Sequence, residues 1–122
     1  LARHSAAQMA LNYHQAGFSV VIDDFWDANQ ASDYQILRDH PRFHRVLLLP
    51  AQTQAHQRNL QRSGDSPGRA YIDEGIRIVY QQLEAVAAGL AQQGWIVVDS
   101  SQMTVDAVVA ALLAASEAPA AP

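Results

Sequence analysis

Three short runs of apolar, largely β-branched residues punctuate this chain, and they constrain its fold more than any other feature. They are Phe18-Ser19-Val20-Val21-Ile22, Arg45-Val46-Leu47-Leu48-Leu49 and Trp95-Ile96-Val97-Val98. Each is nearly continuously apolar, the mark of a strand covered on both faces, as in parallel sheets. The first and third end at Asp23-Asp24 and Asp99, the second at Pro50. Helical patterns lie between them. Ala6, Met9, Ala10 and Tyr13 form one apolar face within residues 2–16, and Gly17 stands where a helix-ending glycine belongs. Ser32 to Gln35 has the spacing of a capping box, opening a short helix before Pro41. Thr53 to about Arg62 reads as a further helix, followed by the loop Gly64 to Gly68. From Ala70 to Gln93 the apolar residues keep a 3/4 rhythm through Leu90, and Gly94 closes that helix. A last helix starts near Ser101 or Thr104, with Val105, Val108, Val109 and Leu112 turned inward.

Long helical crossovers between buried strands imply parallel pairing. The expected fold is therefore α/β, a three-layer αβα arrangement around a parallel sheet. One domain over residues 1–116 is expected, with an Ala/Pro tail at 117–122 that frays. A weak internal repeat supports this map: Gln15-Ala16-Gly17-Phe18 and Gln93-Gly94-Trp95 each lead into an apolar run ending in Asp. In parallel sheets ligands bind beyond the carboxyl ends of the strands. That rule selects Asp23 to Asp27, Pro50 to Thr53 and Asp99 to Met103.

Composition narrows the chemistry. There is no Cys, which removes disulfides, thiolate metal sites and a cysteine nucleophile. All eight basic residues are Arg, so mechanisms that need a Lys from this chain are excluded. The net charge of −4 argues against a general nucleic-acid or anionic-membrane surface. No apolar run approaches the ~20 residues of a membrane span. The first residues also lack a signal peptide's apolar stretch, and a cytoplasmic location is expected. The five His have no metal-ligand spacing and read as surface or packing residues.

Asp23 and Asp24 can hold Mg²⁺ through water, or accept a proton from a hydroxyl; they can equally cap a turn. Arg58 and Arg62, one helical turn apart, project from one face, and Arg69 follows across the Gly/Pro loop. Three guanidiniums can clamp phosphate oxygens, or simply solvate a helix face.

Taken in order, Ala16 to Asp23, Val46 to Pro50, Arg58-x-x-x-Arg62 and Val97 to Thr104 resemble the later part of small P-loop kinases of the gluconate/shikimate kinase and zeta-toxin-like type. The resemblance covers nearly the whole chain. It implies an ATP-dependent phosphotransferase using ATP and Mg²⁺ with a small-molecule phosphoryl acceptor. Asp23 then matches the acidic residue near Mg²⁺ and the acceptor hydroxyl, with Asp24 beside it. Arg58 matches the Arg lying against the nucleotide base. Arg62 and Arg69 match arginines reaching the phosphates, and Ser101 and Met103 match the loop beside the adenine. Gly-x-x-x-x-Gly-Lys-[Ser/Thr], the defining loop of that family, is absent from this sequence. The resemblance thus implies either a truncated chain or a degenerate relative, inactive alone. Unpaired sheet edges would favour self-association. The competing expectation is a noncatalytic α/β binding or assembly module whose Arg face is solvent surface.

Overall fold

A computed structural model describes residues 1–27 and 30–117; of the tail expected at 117–122, Glu117 is the last residue of a helix and the rest lies outside the described residues. The chain divides into two compact units, Leu1–Phe43 and His44–Pro122.

The first unit is helical. Helix α1 (Ala2–Gln15) packs against the single turn α2 (Gln30–Asp33) and a 3₁₀ turn at Gln35–Leu37. Ala7, Ala10 and Leu37 are its buried apolar residues. The end of α1 shows why Gly and an aromatic stand together there. Gly17 has φ +95°, a left-handed conformation that costs a glycine little. Its N–H donates to His14 O at 2.9 Å, and Phe18 N–H donates to Tyr13 O at 3.0 Å. The Phe18 and Tyr13 rings then meet edge-on at 5.9 Å, completing a Schellman stop with its apolar contact.

The second unit holds two strands and three helices. Strand β1 (Val46–Leu48) leads into α3 (Gln52–Ser63). A short link joins α3 to the long α4 (Gly68–Gln92), which returns the chain to β2 (Ile96–Val98) and then α5 (Val105–Glu117). The strands pair in parallel with Val46 opposite Ile96 and Val98 opposite Leu48. The ladder continues one residue each way, Ile96 N–H to Arg45 O and Leu49 N–H to Val98 O, both at 2.8 Å. Leu47, Leu83 and Leu90 are the buried apolar residues of this unit. The stop that ends α1 recurs at the end of α4. Gly94 takes φ +88°, its N–H reaches Ala91 O, and Trp95 N–H reaches Leu90 O, both at 3.1 Å. Thr104 Oγ1 accepts the Ala107 N–H at 3.1 Å and so caps α5.

The expected three-layer αβα fold with its parallel sheet is not what forms. The described chain is mostly helical (62%), and its sheet has two strands. The missing strand is Phe18–Ile22. These residues form no strand; Phe18 is 60% and Val21 91% exposed. A strand exists only through a partner's ladder, and strand propensity depends mainly on the packing that pairing provides. No strand forms among the other described residues of the first unit, so its backbone has nothing there to pair with. The repeated helix–Gly–aromatic pattern is real, but it encodes a helix stop and is followed by a strand only at Trp95.

Candidate functional site

The carboxyl ends of β1 and β2 are fastened together by one hydroxyl. Ser101 Oγ accepts the Ala51 N–H at 2.7 Å and donates to Asp99 Oδ1 at 2.5 Å. Asp99 Oδ1 also accepts the Ser101 N–H at 3.0 Å. These bonds hold the Asp99 carboxyl below its usual range, the hydroxyl contributing most. Ser100 is buried. Its carbonyl accepts from Met103 N–H at 3.3 Å and from Arg58 Nη2 at 3.2 Å. Tyr80, on α4, donates its hydroxyl to Pro50 O. Burial, with Asp99 nearby, pushes that phenol above its ordinary value, while Arg58 pulls the other way. The sheet edge thus gathers Arg58, Tyr80, Asp99 and Ser101, with Met103 half-buried beside them.

Arg62 stands one turn beyond Arg58, exposed, with no hydrogen bond or ion pair to any described residue. Arg69 opens α4 and donates to Gly64 O at 3.3 Å, closing the link between the helices.

A second polar cluster joins α3 to α4. His56 Nδ1 lies 2.9 Å from Asp73 Oδ1, which also accepts Asn59 Nδ2 at 2.9 Å. Asn59 is buried, at 5% exposure. It donates as well to Arg69 O at 3.2 Å, and its Oδ1 accepts from Ser63 Oγ at 2.8 Å. His56 first, then Asn59, holds the Asp73 carboxyl below the usual range. His56, read from sequence as a surface or packing residue, is the imidazole side of an inter-helix pair. A signal was present: Gln52, His56, Asn59 and Ser63 follow a 4-3-4 spacing, a polar stripe down one face of α3.

Asp23 and Asp24 sit in the first unit, apart in sequence and unit from Asp99, so the three do not end one common sheet. Asp23 is exposed, and no described residue bonds its side chain. Asp24 is fully engaged. Its Oδ2 accepts from Arg3 Nε at 2.6 Å and Tyr34 OH at 2.9 Å; its Oδ1 accepts the Phe25 N–H at 2.9 Å. Arg3 also approaches Asp33 at 3.1 Å and Asp27 at 3.4 Å. Arg3 above all keeps Asp24 below the ordinary carboxylate range, and these carboxylates raise the guanidinium's own pKa. With its oxygens occupied in this way, Asp24 does not fit the Mg²⁺ role. No group of three or more metal-ligating side chains occurs among the described residues. No described helix is long and apolar enough to cross a membrane.

No protein-family model, curated protein or solved structure matches this chain.

Proposed function

We propose that the second unit carries nucleotide-facing residues of an ATP-dependent phosphotransferase. The observation that supports this reading most is the bond from Arg58 to the Ser100 carbonyl. It joins the helix that leaves β1 to the loop that leaves β2, the two segments the sequence resemblance sets against a nucleotide. In this reading Arg58 and the Ser101–Met103 loop contact the base. Arg62, exposed and uncommitted among the described residues, reaches phosphate oxygens, with Arg69 behind it.

A second reading, a noncatalytic binding or assembly module, draws on a different observation. Arg58 and Arg69 already spend guanidinium donors on the Ser100 and Gly64 carbonyls.

Titration of the 122-residue chain with ATP and Mg²⁺, followed by amide NMR, separates the two. The sequence has neither a Lys nor a Gly-x-x-x-x-Gly-Lys loop to cradle a triphosphate. Binding is therefore expected to be weak, with a Kd of ~1 mM. Shifts should concentrate at Arg58, Arg62, Ser101 and Met103. Arg62→Ala should weaken binding by about tenfold, the worth of one charge-assisted hydrogen bond. No shift at these residues, or an Arg62→Ala variant that binds equally well, favours the noncatalytic reading.

A further inference from the structure

Helix α1 is fastened at both ends by side chains that respond to acid in opposite ways. At its start, Arg3 reaches Asp24 at 2.6 Å, Asp33 at 3.1 Å and Asp27 at 3.4 Å. His4 Nε2 lies 3.5 Å from the other Asp33 oxygen, and Asp39 lines one cavity with both. A charge gained by His4 therefore meets carboxylates.

The other end is different. About 15 Å along the helix, His14 meets the His40 ring edge-on, with centroids 4.9 Å apart and planes at 87°. Both rings are half-buried. His40 also shapes the turn that follows the 3₁₀ segment packed on α1. Its N–H donates to Leu37 O and its O accepts from Phe43 N–H, both at 3.0 Å. Its Nδ1 accepts the Arg42 N–H at 3.2 Å. A ring nitrogen that accepts a hydrogen bond carries no proton, so this turn is built on the neutral ring.

We propose that His14 and His40 form a pH-sensitive latch. Neutral, they hold the end of α1 against the turn at residues 40–43; charged, they release it while the start of the helix stays docked. The proposal goes beyond the phosphotransferase reading and does not depend on it.

The surroundings leave charge on this pair uncompensated. Among the described residues no other side-chain hydrogen bond, ion pair or ring contact reaches either ring. Helix α1 contains no Asp or Glu, and the 3₁₀ turn has no ionisable residue. The one acid of α2, Asp33, is held by Arg3 and His4 at the far end of α1. The charged residues next to His40 in the chain are Arg38, Asp39 and Arg42. Two of these are cations, and Asp39 shares the cavity of His4. Like charges on two rings in contact repel, and a proton on Nδ1 would point at the Arg42 N–H.

Imidazoles gain their charge near pH 6.5, so measurements at pH 8 and pH 5 bracket the change. Amide exchange of the 122-residue chain, followed by NMR as protection factors, reads each end of α1 separately. Protection at residues 12–15 should fall about fivefold from pH 8 to pH 5, the repulsion of two charges ~5 Å apart near a surface. Protection at Ala7 and Gln8 should hold. Nuclear Overhauser contacts between the two rings should disappear over the same range. His40→Asn keeps an acceptor for the Arg42 N–H and cannot be charged, so protection at residues 12–15 should be equal at the two pH values. His14→Gln should behave alike, and decides if the first variant does not fold. Equal protection at residues 12–15 of the unsubstituted chain at both pH values would overturn the proposal. So would a fall of the same size at both ends of α1, or one that persists in a folded His40→Asn or His14→Gln chain.

Discussion

Asn59 does more for the second unit than its place in a polar helix suggests. Its amide is buried and spends both donors and its acceptor, on Arg69 O, Asp73 and Ser63. A buried amide is favourable only while its partners are present, and removing one member leaves the others desolvated and unpaired. Asn59→Ala is therefore expected to destabilise the chain by about 1–3 kcal/mol, read as a lower urea midpoint with an unchanged slope. Asn59→Asp should cost more, because it sets a second carboxylate where Asp73 now accepts a hydrogen bond. An alanine variant as stable as the parent would show that water replaces the amide freely. At this scale the sequence was half legible. Arg58, Ser101 and Met103, which the structure gathers at one sheet edge, could be picked out because strand ends are local patterns, whereas Arg62 stands exposed one turn beyond them. The network of His56, Asn59 and Asp73 could not, because its members pair across the link between two helices and no local pattern states which residues of α4 face α3.

The α3–α4 hairpin carries its own pH dependence. Asp73 has a lower pKa in the folded chain than a free carboxyl, chiefly because of the His56 ring. Such a group favours folding in full above its unfolded pKa, near 3.9, and the advantage is lost as pH falls through the lower folded value. Urea midpoints measured from about pH 6 down to about pH 3 should fall at the acid end, and less steeply in Asp73→Asn. Parallel curves for the two proteins would remove the pair from the account. Most elements were readable beforehand for reasons that this hairpin shares. The 3/4 rhythm marked α4, Thr104 marked the start of α5, and Gly17 and Gly94 marked helix ends that require positive φ. The parallel pairing of the runs at residues 45–49 and 95–98 was legible too. Phe18–Ile22 was misread because apolarity says that a run seeks burial, not that a ladder is there to receive it.

For the molecule as a whole, the two-stranded parallel pair is the feature with the widest consequence. Its edges come together only after everything from Leu49 to Trp95 has been looped out. Closing so long a loop is entropically costly, and contacts distant in sequence slow the search for the native state. The α3–α4 hairpin needs no such closure, since its partners sit on either side of a four-residue turn. Folding of the second unit should then run in a set order, hairpin before strands. Stopped-flow kinetics can read that order from two variants. Asn59→Ala should slow refolding by most of its equilibrium effect. Leu47→Ala, at a strand residue only 9% exposed, should leave refolding nearly unchanged and speed unfolding instead. The reverse result would mean that the strands meet first and the helices dock on them. In the expected order, β1 and β2 are the last parts to assemble and the first to let go, so the sheet edge that holds Arg58 against Ser100 is a late product of folding.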